Sequence, residues 1–262
     1  MAGVVVRLSL KARGVSAVNS YITYGTPSLF TYWGFIHSLC LKNNISLVNE
    51  TILPIVHRFE NREIGGVFDI QRTSSKQIGR GATLVDMPRC DIDFSIIFKI
   101  EADDLEGIAD DLQKSITSMS FNSGFILKDS IEIKLSSLSD EKLLLLSTPK
   151  GYIQNEYESE IEYKDDSGEY LKQFLYCLSP SKEKKGWITP TLIGYAPIED
   201  STKRDNVRFD YEHQFAEPII GLVEFKIFKK AYNDNEVGTT LDNNGWSLSV
   251  NDEYITFKQQ RK

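Results

Sequence analysis

The chain has 262 residues, 41% hydrophobic and 26% charged, with 17 Gly and 8 Pro. That balance suits a packed protein of one large or two small domains and excludes fibrous, disulfide-dense and broadly disordered classes. A net charge of −7 argues against indiscriminate coating of nucleic acid, because phosphate affinity comes largely from Lys and Arg displacing counterions.

The charge is uneven. Residues 1–100 hold eleven Lys and Arg against seven Asp and Glu, and the remainder nineteen against thirty. The acid gathers in EADDLEGIADD (101–111) and EYESEIEYKDDSGE (156–169), which read either as solvated helix faces or as contacts for basic partner subunits. Cys40, Cys90 and Cys177 are too scattered for a zinc cluster or a disulfide framework, which fits a reducing cytoplasm. The N-terminal apolar run is short and interrupted by Arg7, so neither a signal peptide nor a membrane span is expected.

In chain order, VVVRLSL (4–10) predicts a strand entering a sheet core, followed by a polar, glycine-containing loop. Thr26-Pro27 predicts a helix start, with Thr26 capping and Leu29, Phe30, Trp33, Ile36, Leu39 and Cys40 as the buried stripe. ILPIVHRFE (52–60) predicts a second strand and RCDIDFSIIFKI (89–100) a third, in which Cys90, Ile92, Phe94, Ile96, Phe98 and Ile100 alternate with mainly polar neighbours. The polar stretch 61–88 between them is too long for a tight turn and reads as an extended hairpin or arm.

Leu105, Ile108, Ala109, Leu112, Ile116 and Met119 have helical spacing, and GFILKDSIEIKL (124–135) predicts a strand broken near Lys128-Asp129. The order is β-α-β-β-α-β, that of the ferredoxin-like unit shared by RNA-recognition domains and many unrelated proteins. A second half adds EKLLLLS (141–147), an acidic helix over 156–178, strands at WITPTLIGY and GLVEFKIFKK, and a hairpin over 246–258 turning at Asn251-Asp252. The expectation is an α+β protein: residues 1–138 as a ferredoxin-like RNA-binding domain, and 139–262 as a helical insertion and a partly β region packed on it.

Chemistry-bearing residues concentrate in the first half. Arg62, Arg72, Lys76 and Arg80 lie among glycines and small polar residues, a composition for phosphate contacts or for an ordinary solvated loop. At His57-Arg58 one side chain should face the core and the other the opposite surface; His57, Arg58 and Tyr24 could stack on or bond to a single strand. Lys11, Arg13, Asn19 and Ser20 form a polar loop ahead of a helix N-terminus, where phosphate is favoured. His37 reads as a packing residue, and Trp187 as core. No phosphate-cradling glycine motif, zinc spacing or serine-hydrolase signature is present, so no cofactor, metal or catalytic residue is assigned.

Four stretches in order carry a resemblance: SYITYGTPSLFTYWGFIHSLCLK (20–42), PIVHRFE (54–60), VDMPRCDIDFSIIF (85–98), and the pair GWITPTLIGYAPIED (186–200) with FAEPIIGLVEF (215–225). Together they resemble the second Csy proteins of type I-F CRISPR complexes, within the repeat-associated RNA-binding superfamily. The chain departs in being short for that family, with a reduced central helical part, and in carrying ARGVSAVN where an Asn-rich run is usual.

The resemblance implies a non-catalytic cytoplasmic subunit that grips the 5′ handle of a CRISPR guide RNA, with 61–88 as a thumb against the guide. It caps a backbone filament subunit, adjoins a large subunit where one is present, and meets target DNA directly or indirectly. Arg208, between the two parts of the fourth stretch, joins the RNA-contact candidates. Two alternatives stand beside it. One is a guide-RNA-processing endoribonuclease using His37 or His57; the other is a subunit of a reduced complex that senses target DNA next to the protospacer.

Overall fold

The structure, a computed structural model, describes residues 2–20, 23–62, 88–102, 107–157, 169–178, 187–205, 212–229, 240–251 and 253–259. Strand β1 (Ala2–Ser16) exceeds its predicted length because its alternation persists: Val4, Val6, Leu8, Leu10 and Ala12 are all buried on one side. The short pair β2 (Val18–Ser20) and β3 (Thr23–Tyr24) leads into helix α1 (Leu29–Lys42). The helix starts two residues after Pro27, with Ser28 at the N-cap. Thr26 does not cap it, because its hydroxyl is turned inward to accept a 3.0 Å hydrogen bond from Gln154 Nε2.

Strands β4 (Ser46–Arg62) and β5 (Arg89–Ala102) follow, then α2 (Ile108–Ile116), β6 (Ser120–Phe121), β7 (Gly124–Ile126) and β8 (Glu132–Ser137). The predicted break near Lys128-Asp129 is a 3₁₀ turn, Lys128–Ser130. The strands line up as β8-β1-β5-β4 with every neighbour antiparallel, and β7 also pairs with β1. Helices α1 and α2 cover one face. Tyr32, Phe35, Ile36, Leu39, Leu112 and Ile116 pack there on the even-numbered residues of β1 and β5. Phe121 sits among Tyr32, Phe35 and Phe94 with ring centroids 4.5–5.5 Å apart, each such pair contributing about 0.5–1.5 kcal/mol beyond its buried area.

The second half supplies α3 (Glu141–Ser147), β9 (Tyr152–Glu156), α4 (Glu169–Leu178), β10 (Trp187–Pro197), β11 (Thr202–Lys203) paired with β12 (Glu212–His213), and β13 (Ala216–Ile227). A helical turn, Leu241–Asn244, then precedes the hairpin β14 (Trp246–Val250) and β15 (Ile255–Gln259). The acidic helix expected over 156–178 is described only at Glu169–Leu178, and Glu156 ends a strand instead.

These strands extend the same sheet. Strand β9 pairs with β4, then β13, β10, β15 and β14 follow in turn, and β14 returns to β4, closing a ring. Leu29, Val223, Phe225, Trp246 and Phe257 form its apolar cluster, and Trp246 Nε1 donates to the Gln154 carbonyl at 2.8 Å.

On the face away from α1, helix α3 and the Leu241–Asn244 turn cover one end of the sheet. Val5, Leu53, Ile55 and Ile97 pack there against Leu144, Leu145, Phe228 and Leu241. Lys99 of β5, only 6% exposed, reaches Asp242 at 2.7 Å and Glu141 at 3.4 Å, and Glu141 also accepts the Leu241 N–H. Such a buried ammonium needs both carboxylates.

Candidate nucleic-acid interface

Along the odd-numbered face of β1 the side chains run Val5, Arg7, Ser9, Lys11, Arg13, and burial decreases from Val5 to Lys11, with Arg13 half-buried beyond it. Val5 and Arg7 are buried, Ser9 is half-buried and Lys11 is exposed. The same gradient runs along β5 from Ile97 and Ser95 to Asp93, Asp91 and Arg89, and along β4 from Ile55 to Arg58, Glu60 and Arg62. Thus α3 closes one end of the face and leaves the end from which residues 63–87 depart open and charged.

The boundary is polar and bonded internally, except that Arg7 Nε is buried with no hydrogen-bond partner among the described residues. Arg7 bonds Glu132 at 3.0 Å and Ser147 at 3.2 Å. Next to it, His57 Nδ1 lies 2.9 Å from the Lys150 carbonyl, and His57 Nε2 lies 2.7 Å from Ser95 Oγ, itself 2.8 Å from Ser9 Oγ. A carbonyl can only accept, so Nδ1 carries the proton and Ser95 donates to Nε2. Burial holds the His57 pKa below its usual value and the Arg7 guanidinium lowers it further, outweighing the Lys150 carbonyl and Asp93. Gly151 makes the fit possible: a Cβ there would stand 2.8 Å from His57 Nδ1 and 2.7 Å from Ile55 Cγ2.

At the open rim, a β1 bulge between Ala12 and Val15 places Gly14 at φ +64°, a left-handed conformation glycine adopts freely. Gly14 N–H donates to Asp91 Oδ1 at 3.0 Å. Asp91 also receives Arg62 in bidentate fashion, Nε at 2.6 Å and Nη2 at 3.1 Å. Arg13 Nη1 bonds Asp93 at 2.7 Å, and Arg89 Nη1 donates to the Gly14 carbonyl at 2.9 Å. Desolvation alone would push the Asp91 carboxyl up, but Arg62, the Gly14 N–H and Arg13 together hold it below its usual value. Counting Lys11, Arg13, Arg58, Arg62 and Arg89 against Glu60, Asp91 and Asp93, the rim carries five positive charges and three negative ones.

The sequence-predicted residues therefore separate. Lys11, Arg58 and Arg62 are exposed on the open face. Arg13 lies on it too, but its guanidinium is tied to Asp93 and to the Ala12 and Ile92 carbonyls. His57 and Arg58 do not point to opposite sides: a register shift between Val56 and Arg58 sends both to the open face, where His57 meets Ser95 and Arg58 meets Glu60 at 2.6 Å.

Asn19 turns inward. It is 5% exposed, donates to the Thr26 carbonyl and accepts from Thr191 and Leu192, which removes its side chain from the interface. Ser20 and Tyr24 belong to the β2–β3 pair, on the backbone of which they are placed. Arg72, Lys76, Arg80 and Arg208 lie outside the described residues. His37 stacks on Trp33 at 4.6 Å. Trp187 is not core: it is 64% exposed, its ring 5.0 Å from Phe225. Sequence reasoning missed Gly14, Arg89 and Asp91, although the polar alternation Arg89, Asp91, Asp93, Ser95 was there to be read in β5.

Among the described residues no group of three or more His, Cys, Asp or Glu is placed to hold a metal ion, and no helix is long and apolar enough to cross a membrane. The arrangement defines an α+β protein whose antiparallel sheet is helix-covered on one face and arginine-rich at the open end of the other. Over residues 5–150, from β1 through α3, the sequence matches the family model of the CRISPR-associated protein Cas_Csy2. The chain belongs to that family. It is also 28% identical over 131 residues to the CRISPR-associated protein Csy2 of Pseudomonas aeruginosa (strain UCBPP-PA14). That match covers 45% of this chain and 40% of the relative, so the chain spans well under half the length of the curated relative it matches.

Proposed function

We propose that this chain is a non-catalytic subunit of a type I-F CRISPR RNA-guided surveillance complex that binds the 5′ handle of the guide RNA. One observation carries the reading: every residue of the open, arginine-rich sheet end lies inside the family-matched span 5–150. In this reading β8-β1-β5-β4 with α1 and α2 is the ferredoxin-like unit. Residues 61–88 are the thumb of this reading, with Arg72, Lys76 and Arg80 as its contacts for guide phosphates. Lys11, Arg58 and Arg62 extend the same track, a neighbouring backbone subunit is capped, and the complex works in the cytoplasm. His57 supports a scaffold role rather than acid–base chemistry, since both its ring nitrogens are spent on internal partners.

The test is purification of the full chain from cells carrying a CRISPR array, followed by sequencing of bound RNA. RNAs sharing one repeat-derived 5′ end are expected, and a chain with Arg72, Lys76 and Arg80 all changed to Ala should recover fewer and show a flatter salt dependence. Bound RNA without a common 5′ end refutes handle binding. Metal-independent cleavage of repeat RNA that disappears in His57→Ala would establish the ribonuclease instead.

A further inference from the structure

Arg62 and Arg89 are Cα partners across β4 and β5 at the root of the 63–87 connection. Side chains so paired stand about 4.5–5.5 Å apart at Cβ, and like charges placed there repel unless an anion lies between them. The two guanidinium groups converge on Gly14. Arg89 Nη1 bonds its carbonyl at 2.9 Å, and Arg62 Nη1 lies 3.9 Å from the point where a Cβ on Gly14 would stand.

The described residues hold too little negative charge for this cluster. Asp93 is committed to Arg13, and Asp91 to Arg62 and the Gly14 N–H, while Arg89 makes no ion pair among the described residues. Asp91 engages the Nε–Nη2 edge of Arg62, and among the described residues Nη1 makes no hydrogen bond. A guanidinium held along one edge by a carboxylate is fixed in direction and loses little further freedom when its other donors are engaged.

Resting on the RNA-binding reading above, we propose that Arg62 and Arg89 form a two-guanidinium clamp over Gly14 for one backbone phosphate of the RNA, with Asp91 as its positioning residue. A phosphodiester offers two anionic oxygens that two forked donors can bind together. Its charge relieves the cross-strand repulsion between Arg62 and Arg89. Asp91 touches no RNA; it turns Arg62 toward the strand.

Asp91→Asn separates this arrangement from bulk electrostatics by the sign of its effect. The change keeps the size and the acceptor for Gly14 while removing a negative charge beside the phosphate, so attraction by net charge alone gives tighter binding. The clamp gives about threefold weaker binding, the loss of an oriented charged hydrogen bond at a solvated site. Fluorescence anisotropy of the full chain with a single-stranded RNA of the repeat-derived 5′ handle, across a salt series, reads the difference.

Arg89→Ala should weaken binding about tenfold and reduce the salt slope by about 0.7, the value of one phosphate on a single strand. Arg62→Lys, a rim change that keeps the charge and spares the fold, should weaken binding because the fork is lost. Tighter binding by Asp91→Asn, or an unaltered slope in Arg89→Ala, overturns the clamp and leaves RNA binding standing. No binding by the unaltered chain overturns the RNA reading itself.

Discussion

Asn19→Ala tests whether the polar loop before α1 serves the fold or the ligand. The Asn19 amide donates to the Thr26 carbonyl at 2.9 Å, and its oxygen accepts from Thr191 Oγ1 at 2.8 Å and from the Leu192 N–H at 3.3 Å. Thr191 is fully buried, and Leu192 stands where the β10–β13 register shifts. Truncation leaves three buried polar groups without this partner. At about 1 kcal/mol each, the low end for an unsatisfied buried group, the loss is about 3 kcal/mol. For a chain of this size that lowers Tm by about 6–12 °C. Calorimetry reads the melting shift, and the RNA titration of the same protein below its transition reads the salt slope, which should not change. A normal Tm with a weakened, flatter RNA titration would refute the inward placement of Asn19.

Two further outcomes follow from burial. Because the folded pKa of His57 is lowered, the unfolded chain binds more protons and stability falls as pH drops below the ordinary histidine value of about 6.5. Denaturant melts at stepped pH should show this loss above the range where Asp91, Glu132 and Glu199, also lowered, begin to protonate, and His57→Gln should flatten that upper portion. The ring core gives a contrast between two tryptophans: Trp246→Ala should destabilise by about 3–5 kcal/mol, whereas exposed Trp187→Ala should change stability by under about 1 kcal/mol in the same denaturant series.

Where local pattern and burial coincide, the fold was readable. Cys90 through Ile100 alternates over six apolar positions, and Leu29, Ile36, Leu39 and Cys40 recur at helical spacing, so β5 and α1 were visible in the chain, although α1 buries Tyr32 and Phe35 as well and leaves the expected Phe30 and Trp33 only partly buried. Strand β9 was not. Of Tyr152-Ile153-Gln154-Asn155-Glu156 only Ile153 is aliphatic, and Gln154 and Asn155 are buried through bonds to Thr26, Trp246 and Gln259, distant in sequence. Without β9 the ring cannot be drawn. The site was half legible for a similar reason: basic residues can be counted from sequence, but one extra residue in β4 decides where His57 and Arg58 point, and internal bonds decide that Asn19 and Arg13 are occupied while Lys11 is exposed.

Ring closure also bears on how the folded chain avoids joining copies of itself. A strand with an unpaired margin is a template for another chain, and closing a sheet removes that template. Both margins of β4 are occupied, by β5 on one side and by β9 and β14 on the other. Across β1 the sheet instead ends at β8 and at the small β6–β7 hairpin, so among the described strands of this sheet the unguarded backbone lies there. Strand β8 alternates Glu132 and Lys134, bonded to each other at 3.1 Å, with the inward Ile133 and Leu135. A strand arriving at β8 would have to settle beside that ion pair, so along β8 charge guards the exposed margin against self-association.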